Sequence, residues 1–137
     1  SATDQQRAMI CLINWTRRHS GLGVLRRSHA LAGAAAAKAH DIDTCNQFAH
    51  TPCGMPAFKR IKGRIRAGTM GETLYAADST DATAYAAYRA WLGSPGHRRV
   101  LLGRGFRAAG AKVAHLAELE GAPNMRVWVV AVADRRR

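Results

Sequence analysis

Residues 91–102 read Trp-Leu-Gly-Ser-Pro-Gly-His-Arg-Arg-Val-Leu-Leu. Ser94 has the character of a helix N-cap, and Pro95 suits the first helical position, where a missing N–H costs nothing. A helix is therefore predicted to start here, with His97 in its first turn. The unpaired N–H groups and positive dipole end of that turn disfavour a second positive charge. The His97 imidazole is expected to lean toward its neutral form, which can coordinate a metal or take a proton. Trp91 closes the helix before, and Leu101 and Leu102 anchor the one after, so His97 is held at a rigid corner. The competing reading is an ordinary surface histidine in a turn.

Working back toward the N-terminus, Thr80 or Asp81 is placed to cap the preceding helix, whose inner stripe is Ala84, Tyr85, Tyr88, Trp91 and Leu92. Residues 71–75, Gly-Glu-Thr-Leu-Tyr, read as a short strand or extended turn. Glu72 sits there between a glycine and an apolar pair, a costly place for a carboxylate unless something binds it. Pro56 starts a short helix with Phe58, Ile61 and Ile65 facing inward and Lys59, Arg60, Lys62, Arg64 and Arg66 on the other side. Residues 45–54 carry loop chemistry, with His50 between the expected core anchor Phe48 and a turn. Ahead of them, Ser28 caps a helix whose interior, residues 31–42, is mostly alanine and lets a neighbour approach closely. Asp41 and Asp43 near its end oppose the dipole, which suggests pairing with arginines. The first helix has a capping box at Thr3 and Gln6 and a stripe of Met9, Leu12, Ile13 and Thr16, widened by Ala8, Cys11 and Trp15. Gly21 ends it, and residues 23–27 link onward.

Beyond the opening stretch lie two extended segments, residues 106–116 and 125–133, joined by a polar loop at 118–124 that fits an antiparallel hairpin. The second, Met-Arg-Val-Trp-Val-Val-Ala-Val-Ala, is apolar on both alternating faces, so both faces are expected to be covered. A small sheet between two helical layers, an α+β fold in one domain over residues 1–137 with a basic tail at 134–137, follows.

Composition narrows the function classes. The chain has 137 residues and a formal charge of +12, from 21 basic and 9 acidic residues. Anionic surfaces are therefore favoured partners, but weakly, because the arginines are scattered. They are not interleaved with stacking aromatics, and no nucleic-acid motif appears, so specific nucleic-acid binding is not expected. No run of about 18 apolar residues exists to span a membrane. The polar start is read as the end left after removal of an export signal, which places the protein outside the cell or in its envelope. Of three cysteines, Cys45 and Cys53 have a spacing that suits a local disulfide, worth roughly 2–3 kcal/mol by loop-closure entropy. Cys11 reads as a buried thiol. Neither spacing forms a zinc knuckle.

Taken in order, these pieces resemble the CAP superfamily of cysteine-rich secretory, antigen-5 and pathogenesis-related-1 proteins, in its bacterial SCP-like form. The matching residues are Leu12-Ile13-Asn14 with Arg17 and Gly21-Leu22; Asn46-Gln-Phe-Ala-His50; Gly71-Glu72-Thr73-Leu74; Trp91 through Arg98; Phe106 with Ala109-Gly110; and Trp128. The resemblance implies an α-β-α sandwich with a three-stranded antiparallel sheet and a concave cleft. It also implies a metal pair at His50 and His97, with zinc the typical ion, supported by Glu72 and Ser94. The second acid of the family pattern is missing, since residues 92–96 hold none. The last strand also departs, with Val-Val after Trp128 where the family reads phenylalanine-glycine.

Two imidazoles leave a zinc short of protein ligands, so a weak, exchangeable site is expected. The leading reading is an exported binding module for a small or lipidic ligand or a cell-envelope component, an analogy with the family's sterol and lipid binding. The alternative is a zinc-dependent, peptidase-like hydrolase using His50, His97 and Glu72. A nonspecific polyanion binder is a third reading that rests on charge alone.

Overall fold

A computed structural model describes residues 1–134; residues 135–137 of the expected basic tail lie outside the described residues. Asp134 is no free tail residue. Its carboxylate accepts from the N–H groups of Gly68 and Thr69, at 3.1 and 3.2 Å.

The elements in order are α1 (Ala2–His19), β1 (Arg26–Arg27), α2 (His29–Cys45), a 3-10 turn at Pro52–Gly54, α3 (Lys59–Lys62), β2 (Met70–Asp78), α4 (Ala84–Leu92), α5 (Pro95–Leu101), β3 (Ala108–Leu119) and β4 (Ala122–Ala133). The strands form one sheet in the order β1-β3-β4-β2. β2, β3 and β4 pair antiparallel, as expected, but β1 adds a fourth strand, parallel to β3. This corrects the three-stranded antiparallel sheet. Two residues, Arg26 and Arg27, are too short to carry a periodicity, and they looked like linker. No helix among the described residues is long and apolar enough to cross a membrane.

The apolar alternation of β4 does what the pattern requires. Trp128, Val130 and Val132 pack with α1, α4 and α5, while Val127 and Val129 face α2 and Ala131 and Ala133 face α2 and α3. β3 and β4 run closer to each other than expected. The predicted loop at 118–124 shrinks to a turn at Glu120 and Gly121, both at positive φ. The amide of Glu120 donates to Asn46 Oδ1 at 2.7 Å, which anchors this turn on the end of α2.

Several local expectations move by a few residues. Ser1, not Thr3, caps α1, and Thr83, not Thr80 or Asp81, caps α4. Asp78 takes the Thr80 N–H and O–H instead, closing the turn before α4. Ser28 caps α2 as predicted, accepting from Leu31 N–H at 3.1 Å. Gly21, at φ +75°, closes α1 in a Schellman arrangement: Leu22 N–H donates to Arg17 and Gly21 N–H to Arg18. α3 is only four residues long, yet Ile61 and Ile65 are buried as expected.

The α1 stripe is rotated. Met9, Ile10, Ile13, Thr16 and Arg17 are buried, whereas Cys11 and Trp15 are exposed. Cys11 is therefore not a buried thiol, because it sits on the side of α1 turned away from the sheet. Tyr85 and Phe48 are likewise exposed rather than inner. Cys45 and Cys53 are joined in a disulfide, with Cα atoms 5.5 Å apart. Asp41 is held by Arg60 through two hydrogen bonds of 2.8 and 2.7 Å, which pins α3 to α2 and explains an acid near the helix end.

Candidate functional site

β2 is the last strand of the sheet, and the candidate residues gather along it. Gly71 is pressed against Val100 of α5 and Val132 of β4: a Cβ there would lie 2.8 and 3.0 Å from their methyls. The next residue, Glu72, therefore points to the other face, toward α2. There it is nearly inaccessible, and its Oε1 accepts from Lys38 Nζ at 3.1 Å and from His50 Nδ1 at 2.8 Å. Lys38 is equally buried and also donates to the backbone carbonyls of His50 and Ala57.

One ammonium thus holds His50 at both ends. It grips the His50 carbonyl directly and the ring through Glu72. Donation from Nδ1 to the carboxylate fixes the tautomer and leaves Nε2 as the acceptor face. The ring itself is half exposed.

Lys38 is the residue that sequence reasoning missed. It lies in the alanine-rich helix, where it reads as a solvated side chain. The signal was Glu72: a carboxylate placed among apolar residues demands a cation, and Lys38 lies on the helical face of Leu31, Ala34, Ala35 and Ile42, all buried.

His97 sits in the first turn of α5, as predicted. Ser94 occupies the N-cap position but makes no capping bond; its Oγ is 2.9 Å from His97 Nδ1. With Pro95 following, the nearby imidazole has taken the hydroxyl that was expected to cap the helix. The His97 pKa is lowered first by burial and then by its electrostatic interaction with His50. The predicted direction is found, with burial as its largest cause.

α5 is fixed by Arg17, which is fully buried. Its guanidinium donates to the carbonyls of Gly23 (2.8 Å), Leu101 (2.9 Å), Gly103 (3.0 Å) and Phe106 (3.3 Å). Its place in the buried stripe of α1, four residues after Ile13, was the available signal.

The structure joins Glu72 to His50 directly and brings His97 close enough for an electrostatic interaction with His50. It does not make the three into a ligand set. Glu72 Oε1 already takes two donors, and the described residues contain no group of three or more His, Cys, Asp or Glu side chains able to hold a metal. Imidazole nitrogens suit zinc, but a catalytic zinc keeps three protein ligands, and this donor set supplies two.

Because the folded-state pKa of His97 lies below its unfolded value, the unfolded chain binds more protons as the pH drops beneath about 6.5. Stability is expected to fall across that window and level off below the folded-state pKa. Urea midpoints for the protein and a His97→Asn variant at pH 7.5 and 5.0 check this, and the variant should show the smaller decline.

A second concave feature lies away from the histidines, between α1 and α4. It is a groove of about 740 Å³ with Leu12, Trp15, Tyr85 and Leu92 on its walls and Arg18 and Arg89 beside them. Trp15 is 54% exposed and Tyr85 56%, the two most exposed large apolar side chains among the described residues. Trp15 stacks on His19 with ring centroids 4.0 Å apart, and the Arg89 guanidinium lies 5.8 Å from the Tyr85 ring centre. No exposed pair of aromatics was foreseen here, because both were counted into inner stripes.

Residues 11–132 match the family described as the cysteine-rich secretory protein family, CAP. No curated protein matches the chain in sequence. Among solved structures, an outer surface protein of Borrelia burgdorferi is similar over 98% of this chain and 96% of its own, with a TM-score of 0.81 and 19% identity. An extracellular SCP-domain protein of Bacillus anthracis gives 0.80 at 20% identity, and a cysteine-rich secretory protein of Staphylococcus aureus gives 0.74 at 14%. The chain spans only 41% and 40% of those two proteins.

Proposed function

Because the chain belongs to the cysteine-rich secretory protein (CAP) family, we propose that it is a ligand-binding module which takes a single-chain anionic amphiphile, such as a fatty acid, between α1 and α4. The groove of exposed Trp15 and Tyr85 carries this reading. Two large aromatics left in water, with the half-buried Leu12 and Leu92 beside them, cost solvation free energy that an acyl chain would recover, at about 25 cal/mol per Å² covered. Arg18 and Arg89 give a carboxylate head its counter-charge.

The module acts as one domain outside the cytoplasm or in the cell envelope. The Cys45–Cys53 disulfide supports that placement, as does its structural similarity to an outer surface protein and an extracellular protein. His50 and His97 offer two Nε2 donors to a weakly held divalent ion such as zinc. Hydrolytic zinc chemistry is the poorer reading. Among the described residues no third protein ligand joins the two histidines, and Glu72, the base it would use, is neutralised by Lys38.

Trp15 makes the test direct, since Trp91 and Trp128 are 1% and 0% exposed and report little from the surface. Adding oleate is expected to shift the tryptophan emission saturably to the blue. Tyr85→Ser should weaken that binding about tenfold, equivalent to about 1.4 kcal/mol. An unchanged spectrum, or equal affinity in the variant, would overturn the reading. Tighter binding of a neutral sterol would overturn the assignment of a charged head.

A further inference from the structure

The sheet edge opposite the histidines carries a different chemistry. A hollow of about 400 Å³ lies over Gly110 and Ala111 of β3, between α1 and the start of α2. Arg7 of α1, Arg27 of β1 and His29 of α2 line it, and no carboxylate does. Among the described residues none of these three side chains makes an ion pair or a hydrogen bond, so the two arginine charges at the hollow have no carboxylate partner.

Ser28 adds an independent observation. It is 5% exposed and also lines the hollow. Its Oγ accepts from Leu31 N–H, but its own O–H proton has no acceptor among the described residues. The Ser28 hydroxyl proton is thus free to donate into the hollow, and beside two arginines it suits an anion that accepts hydrogen bonds.

We propose that this hollow binds a compact phosphate-type oxyanion, held by Arg7 and Arg27 and by the Ser28 hydroxyl. The shared chemistry is a phosphate group, whether free or the headgroup of a lipid. The site is separate from the α1–α4 groove in lining and in ligand, so neither reading depends on the other. Arg7 lies on α1, but neither arginine lines the groove.

The experiment is a titration of the folded protein with inorganic phosphate at constant ionic strength, followed by amide chemical shifts. Saturable shifts are expected at Ser28, His29 and Ala30. Arg7→Gln and Arg27→Gln should each weaken them at least about fivefold, and Tyr85→Ser should not. Both arginines are exposed, so these variants should fold. Shifts that disappear once ionic strength is matched, or that persist in the doubly substituted protein, overturn the site. Co-sedimentation with phosphatidylcholine vesicles containing phosphatidic acid, lost in the same variants, identifies the headgroup as the source. Phosphate binding without vesicle binding identifies the free ion.

Discussion

Lys38→Met is expected to destabilise the protein by about 3–5 kcal/mol, the usual consequence of removing one partner from a buried ion pair. Lys38 and Glu72 are each 3% exposed in their side chains, and their nitrogen and oxygen lie 3.1 Å apart. Taking both charges out of water is costly, and their attraction offsets much of that cost. With Lys38 gone, the Glu72 carboxylate stays buried with only the His50 N–H, and the carbonyls of His50 and Ala57 lose a charged donor. Urea unfolding measures the loss. The double variant Lys38→Met, Glu72→Leu should recover most of it, because a pair of apolar side chains leaves no orphaned charge. A single variant within about 1 kcal/mol of the parent would show that water reaches Glu72. The double variant also separates stability from positioning. It should fold, yet the His50 ring should lose its fixed tautomer, visible in the nitrogen shifts of the imidazole.

The same pair shows what could be read from residues and what could not. Glu72 was legible as a problem: a carboxylate between Gly71 and Leu74 needs a partner. Its solution was not legible, because Lys38 is 34 positions earlier, in a helix whose alanines say only that something packs closely. Helix identity, the hairpin and the two covered faces of β4 follow from periodicity, which is local. The rotation of each helix about its axis does not. In α1 the pattern of Met9, Leu12, Ile13 and Thr16 admits two neighbouring stripes, and Arg17, a long cation, biases the reading toward the wrong one. Its burial is stable only because four carbonyls from the 23, 101, 103 and 106 backbone converge on it. That convergence is tertiary. The error at Trp15 and Tyr85 has the same origin, and the exposed groove was hidden by it. At the candidate site, His50, Glu72 and His97 were legible as special residues, whereas the hydroxyl of Ser94 was assigned to the backbone when an imidazole was in reach.

Gly110→Ala should be as damaging as any single substitution in the protein, although it adds one methyl group. A Cβ at this position would lie 2.0 Å from the Ala32 nitrogen and 2.2 Å from the Leu31 carbonyl carbon. These are backbone atoms of the first turn of α2, so no rotamer change relieves the overlap. The whole helix has to lift from β3. Overpacked cores usually lose 1–3 kcal/mol, but here the displaced body carries Ala35, Ala39 and Ile42 out of their contacts and draws Lys38 away from Glu72. A loss beyond about 3 kcal/mol, or failure to fold, is expected from thermal or urea unfolding. Gly33→Ala is the matched control. Its Cβ would meet only the Arg64 side chain, at 3.1 Å from Nε, and that exposed group can swing aside. In the interior of α2 the change should be neutral or stabilising by up to about 1 kcal/mol, since glycine is the poorer helix former. If Gly110→Ala proved as mild as this control, α2 would not be seated on the sheet by backbone contact, and the alanines of α2 would need another explanation.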